Sequence, residues 1–576
     1  MPIHNNDVAG IFDELADLLE IKGENQFRIR AYRNAARTVA GLTRSVADLV
    51  AEEKGLDGIP GIGKDLAEKI RTIVATKKLP LLEDLKKELP EGLSTLMKVR
   101  GLGPKKIATL YKELKIASLE DLKKAATEGK IRELVGFSTK TEQTILEGIG
   151  QTKVTERGPD RFKRAVAEQI VTPLFAELKK AKGVEEIAIA GSYRRSAETV
   201  GDVDILAAAE DSRDVMDRFV HYDDVAKVLA EGETKSSVLL RGGLQVDLRV
   251  VPLASFGAAL HYFTGSKAHN IAVRLMGVKR KLKVNEYGVF RGKKMIAGRT
   301  EEEIYKLFGM PYIEPELRED RGELQAALKG KLPRLVEIGD LRGDLHAHTK
   351  NTDGRFTAEE MAAAAKALGY EYLAITDHSK RVSMARGLDD KRLAQAVRDI
   401  DKLNARLKGI TLLKSIECDI LADGSLDLPD GILDELDLVV CSVHYNFNLS
   451  KEKQTERVIR ALDNRRVNIF SHPTGRLINE RPGYEIDLGK VMKAALDRGC
   501  FLELNAHPDR LDLDDVHCQT AKRMGLKIAI STDAHSLDDL SLMRFGIGQA
   551  RRGWIEPSDV INTRRLPELR KLLKRR

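Results

Sequence analysis

The sequence predicts a multidomain protein of three parts: an all-α N-terminal region, an α+β middle region and a C-terminal (β/α)7 barrel. Three observations predict it. The chain has 576 residues, and single cores rarely grow past about 250–300 residues before a chain divides. Short amphipathic helices joined by Gly-x-Gly turns recur near the start, in GIPGIGKDLAEKI and VRGLGPKKIATLY. Toward the end, seven apolar runs alternate with helical ones and carry ligand-type residues at or just beyond their ends: DLHAHT, YLAITDH, LLKSIECDI, LVVCSVH, NIFSHP, CFLELNAH and IAISTDAH.

In the first part, VAGIFDELADLLEI, FRIRAYRNAARTVAGL and DLAEKIRTIVATKK repeat apolar residues at helical spacing. Gly61 and Gly63 precede one amphipathic helix and Gly101 and Gly103 another, while LVGFSTKTEQTIL is a degenerate third copy. Glycine at a tight turn lets backbone N–H groups approach a phosphate, and the helix N-terminus that follows adds positive potential. Lys64, Lys105 and Lys106 stand beside these turns. Such a turn can also merely connect two packed helices; two full copies favour the phosphate-gripping role. The charge balance agrees: 96 Lys+Arg against 88 Asp+Glu give a net charge of +8 and a pI of about 9.0, which favours a polyanionic partner.

In the middle part, the helix RFKRAVAEQIVTPLFAELKKA is followed by the strand-type runs IAIAG, VDILAAA, SSVLL and LQVDLRVV. Asp202 and Asp204 point to one face of a strand, because side chains alternate with period two, and Asp247 lies on a later strand. Three converging carboxylates suit two Mg²⁺ or Mn²⁺ ions and in-line phosphoryl transfer, one ion activating a 3′-hydroxyl and the other neutralising pyrophosphate. Gly191 and Ser192 fit a phosphate-cradling turn. A lone DxD is common in solvated turns; the Gly-Ser and the third Asp set this one apart.

In the last part, the C-terminal ends of barrel strands converge on one face. His346, His348, His378, His444, His472 and His535, six of the twelve histidines, would meet there with Asp353, Glu417 and Asp533. Neutral imidazole with carboxylate suits Mn²⁺, Zn²⁺ or Fe²⁺. Nine ligands exceed the need of one ion, so two or three ions are expected, bridged by Glu417. Any single strand-end histidine is more simply a hydrogen-bonded packing residue, but the set is not. His4, His221, His261, His269, His507 and His517 carry no such signal. Arg381, Arg386 and Arg476 follow ligand positions and could clamp phosphates or form solvated basic loops, and RRLPELRKLLKRR reads as a solvated helix edge.

The four cysteines, Cys418, Cys441, Cys500 and Cys518, form no CxxC pair and read as reduced core residues, which suits a reducing cytoplasm. No apolar run approaches the roughly 18–20 residues of a membrane span, and the acidic start is unlike a signal peptide.

The Gly-x-Gly elements resemble helix-hairpin-helix motifs, which hold DNA backbones without reading sequence. The Gly-Ser, DxD and later Asp resemble the nucleotidyltransferase signature. Downstream, ALHYFTGSKAHNIAVRLMGVKRKLKVNEYGVF is similar to the sugar- and base-contacting segment of family X DNA polymerases such as DNA polymerase beta. That resemblance spans roughly residues 1–320. It implies a deoxyribose pocket lined by Tyr262, Phe263 and Gly265, with Asn270 at the incoming base, Arg274 at the template strand, and Ser192 and Arg195 on triphosphate oxygens. It also matches Lys69 to a Schiff-base lysine of a lyase domain. Two departures stand out: Gln245 replaces an Arg beside the third carboxylate, and Asp65 replaces a 5′-phosphate-binding Lys, leaving Arg28 and Lys64. Residues 341–576 resemble the polymerase and histidinol phosphatase (PHP) domain with every ligand position filled. The join looks like the bacterial PolX architecture, whose PHP domain is similar to a Mn²⁺-dependent 3′-to-5′ exonuclease.

The expected division is 1–85 and 86–155 for two helical pieces with helix-hairpin-helix elements, 156–260 for the palm, 261–321 for the nucleotide-selecting subdomain, 322–340 for a linker and 341–576 for the barrel. The resemblance implies a cytoplasmic, monomeric repair polymerase that takes gapped or primer-template DNA and dNTPs, trims 3′ ends, and is a candidate abasic-site endonuclease. The rival is a DNA-binding repair scaffold whose barrel is a phosphatase for small esters.

Overall fold

The computed structural model describes residues 5–574 apart from 41–45, 52–55, 57, 58, 60, 91, 98, 100, 101, 135, 139, 140, 144 and 147–160. Gly101 and the expected boundary near residue 155 lie outside the described residues. The chain divides into two compact units, Met1–Asp160 and Arg161–Arg576.

The first unit is built of helices, among them Asn5–Lys22, Gln26–Ala40, Lys64–Thr76, Pro80–Glu88, Pro104–Leu114 and Leu119–Thr127. Their apolar stripes meet in one core that includes Phe12, Tyr32, Ile70, Leu85, Ile107 and Leu122, so residues before and after position 85 share an interior. The two hairpin helices begin and end alike. Gly63 and Gly103 are extended N-caps whose carbonyls accept from Ala67 N at 2.9 Å and Ile107 N at 3.0 Å. Lys77 and Lys115 close them as left-handed C-caps. Gly61, at φ +86°, occupies a conformation that other residues seldom adopt.

In the second unit, helix Arg164–Leu178 packs on a five-stranded sheet ordered 184–189, 202–209, 245–251, 235–240, 225–230. Period-two alternation gives this sheet two apolar faces. Val203, Ile205 and Ala207 meet Val171 and Leu174 of the helix, while Leu206 and Ala208 meet Phe256 and Ala259. Strands Asp202–Ala209 and Gln245–Val251 are parallel, with Asp204 opposite Asp247. Helices Phe256–Thr264 and Lys267–Lys279, a three-stranded sheet and helix Glu301–Leu307 follow.

The final region is a barrel of seven parallel strands in sequential order, from Gly343–Ala347 to Ile528–Ser531. A parallel bridge between Ala347 and Ala534 returns the last strand to the first. The run expected to be a solvated helix edge forms helix Leu566–Leu573, and here the expectation is corrected. Its Leu569 and Leu573 join Leu345, Leu413, Leu438 and Ile469 in the core, because leucines four apart share one helix face while the basic residues take the other.

Segment 322–340 is built into both neighbours. It holds helix Glu323–Leu328; Leu335 packs in the core around Val273 and Tyr305, and Val336 in the barrel core. The palm is further joined to the barrel by ion pairs of Lys163 with Glu480 and Asp509, Arg476 with Glu198 and Arg544 with Glu168, and the 261–321 subdomain by those of Arg551 with Glu316 and Arg552 with Glu319. All four cysteines are buried and free. Among the described residues no helix is long and apolar enough to cross a membrane.

Candidate active sites

The palm site forms because parallel register sets Asp204 beside Asp247, with Asp202 two residues away on the same strand face. Burial, with the neighbouring charges of Asp202 and Asp247, pushes Asp204 up to about 7. Burial and Asp247 raise Asp202 as well. Three carboxylates in mutual repulsion form a set that a divalent cation would relieve. Gly191 approaches closely: a Cβ there would lie 3.0 Å from Asp204 Oδ2, and its φ of +68° favours glycine independently. Ser192 follows in the short helix Gly191–Arg194. Gln245, the departure noted in the sequence, donates to Asp247 Oδ1 at 3.0 Å and so orients the third carboxylate without adding charge.

Nearby, Tyr262 and Phe263 meet edge to face with ring centres 5.1 Å apart, and Arg249 lies over Phe263. Asn270 donates to the Tyr262 carbonyl at 2.6 Å, while its buried Oδ1 has no hydrogen-bond partner. Gly265 has φ +69° and abuts Arg195, whose NH1 would lie 3.3 Å from an added Cβ. Arg195 itself pairs with Glu319 at 2.9 Å and donates to the Thr264 carbonyl. Arg274 is exposed on its helix.

In the helical unit, Lys64 and Lys105 are exposed beside Gly63 and Gly103; Lys106 reaches over the Phe137 ring. Lys69 pairs with Asp65 and lines a cleft of about 440 Å³ with Arg28, Tyr32 and Lys64.

In the barrel all nine expected ligands converge at the strand ends. Three overlapping groups have ligand atoms within 4.8 Å of one another: His348, Asp353, His378 and His535; His346, His348 and Asp533; His378, Glu417 and His444. His348 and His378 are each shared, which suits more than one ion. His472 joins through Nε2, 2.8 Å from Glu417 Oε1. Glu417 is central, with Oε2 at 2.8 Å from His378, 3.6 Å from His346 and 3.7 Å from His348. His346 Nε2, His348 Nδ1, His378 Nδ1 and Glu417 Oε2 are buried without a hydrogen bond. Buried polar atoms are normally partnered, so this convergence of orphaned ligand atoms fits metal ions.

The electrostatics agree. Burial alone would raise Glu417, but His444, His378 and His346 hold it well below the carboxylate range. Burial would lower His378 and His535, but Glu417 and Asp353 lift the first to about 10, and Asp353 and Asp533 the second to about 9. Burial, with His535 and His378 alongside, drives His348 down to about 3. His472 at φ +27° and Asp533 at φ +55° are left-handed, as the chain turns abruptly off their strands.

A second ring of carboxylates escaped the sequence reading. Glu503 sits 2.7 Å from His346 Nδ1 and accepts from His472 N. Asp377 accepts from Thr349 and Thr352, and Asp344 from Thr532 and His346 N. The available signal was an acidic residue inside an apolar strand run, as in FLELN. Of the arginines considered as phosphate clamps, Arg476 is taken up by Glu198 and two carbonyls, Arg381 by Asp419 and Arg386 by the Thr352 carbonyl.

Comparison with known proteins agrees region by region. Family descriptions match as helix-hairpin-helix domain over residues 3–79, SAM-like helix-hairpin-helix tandem over 93–151, DNA polymerase beta palm over 161–247, DNA polymerase beta thumb over 259–319 and PHP domain over 344–507. The chain is 38% identical over 577 residues to the DNA polymerase/3′-5′ exonuclease PolX of Bacillus subtilis, covering 100% of both. It is 30% identical over 231 residues to a probable phosphatase of Thermoanaerobacter sp. strain X514, covering 38% of this chain and 89% of the relative. It is 25% identical over 346 residues to rat DNA polymerase lambda, covering 55% of this chain and 56% of the relative.

Proposed function

The chain belongs to the family of the DNA polymerase/3′-5′ exonuclease PolX, and from that premise we propose how its two centres divide the work. The protein is a DNA polymerase of repair type and a 3′-5′ exonuclease. The observation that carries the division is the pairing of a three-carboxylate palm with a complete nine-ligand barrel.

In the palm, Asp202, Asp204 and Asp247 would hold two Mg²⁺ or Mn²⁺ ions, which would supply activation of a 3′-hydroxyl and charge neutralisation for pyrophosphate. Gly191 and Ser192 cradle the triphosphate of a dNTP. Tyr262 and Phe263 line the sugar pocket with Gly265 and help exclude a 2′-hydroxyl, and the free Oδ1 of Asn270 accepts from the base edge. Arg195 exchanges part of its hold on Glu319 for triphosphate oxygens, and Arg274 meets the template strand. Gly61, Gly63, Gly101 and Gly103, with Lys64, Lys105 and Lys106, grip gapped or primer-template DNA by its backbone.

In the barrel, His346, His348, Asp353, His378, Glu417, His444, His472, Asp533 and His535 would hold two or three Mn²⁺ or Zn²⁺ ions, or Fe²⁺, which would supply activation of a water nucleophile at neutral pH. Glu503 fixes the His346 ring, and the closed strand ends keep the ligands preorganised. Incision at abasic sites by the same cluster, a monomeric state and a cytoplasmic setting complete the proposal. A lyase role for Lys69 requires release from Asp65. The rival of a scaffold with a small-ester phosphatase lacks the support of a full-length relative.

The test is a labelled gapped primer with Mn²⁺. With dNTPs the primer should lengthen; without them it should shorten stepwise. Inert DNA alongside phosphate release from small esters would overturn the proposal.

A further inference from the structure

The cations around the barrel centre are mostly committed. Arg381 pairs with Asp419 and lies over the Tyr445 ring. Arg476 serves the palm through Glu198. Arg457 donates to the carbonyls of Leu421, Tyr445 and Ile420, and Arg481 donates to the Gly475 carbonyl while covering Phe447.

Arg510 differs. It lies on the turn after strand Phe501–Asn505, and its main chain is pinned on both sides: its N donates to the His507 carbonyl at 2.8 Å, and its own carbonyl accepts from Arg476 Nε at 2.9 Å. Its guanidinium donates no hydrogen bond among the described residues. Its nearest carboxylate oxygen is Asp533 Oδ2, 3.7 Å from Nε, and that oxygen already accepts from Asn505 at 3.1 Å. The other oxygen, Oδ1, faces His346 and His348. Arg510 therefore stands directly behind a ligand of the cluster with its donors uncommitted and 23% of its side chain exposed. A guanidinium set beside a ligand cluster with so little carboxylate contact forms a seat for an anion.

We infer that Arg510 holds the scissile phosphate of the DNA strand during 3′-end trimming, an inference that rests on the exonuclease reading of the barrel. Its guanidinium donates to the two non-bridging oxygens of the terminal phosphodiester. As a water oxygen bonds to phosphorus, the bond from phosphorus to the penultimate O3′ breaks. The leaving O3′ takes a proton, giving a shortened strand with a 3′-hydroxyl and a free 5′-mononucleotide. The donors gain strength as charge grows on the non-bridging oxygens, so they act on the rate more than on binding.

The experiment uses the full chain as wild type, R510A and R510K, with Mn²⁺, on a 5′-labelled single strand and on the p-nitrophenyl ester of thymidine 5′-phosphate, with bound metal measured for each protein. R510A should lose about 10²–10³-fold in kcat on both substrates with KM for the strand and metal content close to wild type. Guanidine in solution should restore part of the R510A rate, and R510K, which keeps the charge but loses the fork, should fall between. A lost metal complement in R510A and R510K would make Arg510 a structural counter-ion of Asp533 and overturn the inference, as would a full rate in R510A or a loss seen only in KM. A wild-type chain that leaves both substrates intact would defeat the exonuclease reading, and the role of Arg510 with it.

Discussion

His346 Nδ1 and Glu503 Oε1 lie 2.7 Å apart with both side chains fully buried, so the ring of a strand-end ligand is aimed by a carboxylate from a strand on another part of the barrel. Partners of this kind fix tautomer and orientation. Glu503→Ala should weaken metal binding about 10–100-fold, read by competition with a chelator, and exonuclease activity should fall in parallel. Unaltered metal affinity would remove Glu503 from the centre.

The two activities should be separable. Asp202→Ala with Asp204→Ala should abolish gap filling and leave shortening, and His346→Ala with His348→Ala should do the reverse, because each pair strips ligands from one centre only. Nuclease activity that persists in the histidine double variant, or vanishes in the aspartate one while the barrel still binds metal, would defeat the assignment.

Metal loading of the barrel should release protons at pH 7. With His378 at about 10 and His535 at about 9, both rings are charged in the metal-free protein. Because these values are raised, the stability they give is complete below about 6.5 and is lost as pH rises through about 9–10. A bound ion requires the neutral rings, so Mn²⁺ affinity should climb from pH 6 to pH 8. Titration in weak buffer would follow the proton release; a flat affinity profile would contradict it.

The palm behaves in the same sense for a different reason. Asp204, raised by burial and then by Asp202 and Asp247 to about 7, favours the folded metal-free protein below about 3.9 and withdraws that support as pH passes 7. Added Mg²⁺ should therefore raise the melting temperature more at pH 8 than at pH 6, and Asp204→Asn should shrink the difference. An equal shift at both pH values in the wild type would count against it.

Arg552 is 9% exposed between Glu319 and Asp515. Arg552→Ala takes one of two arginines from each carboxylate, leaving Glu319 with Arg195 and Asp515 with Arg321, and should destabilise the second unit by about 1.5–3 kcal/mol, seen as a lower urea midpoint. A change under about 1 kcal/mol would mean that the pairs are solvent-screened.

Much of the barrel centre was legible because a β/α barrel converts a one-dimensional rule, polar residues at strand ends, into one place. His346, His378 and Asp533 needed only that rule. Glu503 did not follow it: it lies within a strand, and its meaning comes from a ring on a different strand. The arginines failed for the same reason. Arg476 looks like a phosphate clamp beside His472 until the fold brings Glu198, hundreds of residues earlier, to it. The parallel register of Asp204 with Asp247 was legible only as a shared sheet, since pairing depends on the strands between them. Leu569 and Leu573 were masked by their basic neighbours, whose charge says nothing of the opposite helix face.

The bridge between Ala347 and Ala534 also imposes an order in time. The palm pairs strands within residues 184–251, so it can complete its sheet early in synthesis. The ring cannot shut until its seventh strand has left the ribosome, because loop-closure entropy must be met before such distant contacts reward it. Through that interval the nuclease half is an open sheet with two bare edges, the kind of surface on which chains adhere to one another. A finished palm already carries Glu168, Glu198 and Lys163, the ion-pair partners of Arg544, Arg476 and Glu480, so the helix and loops of the growing barrel meet a partner within the same molecule during that wait.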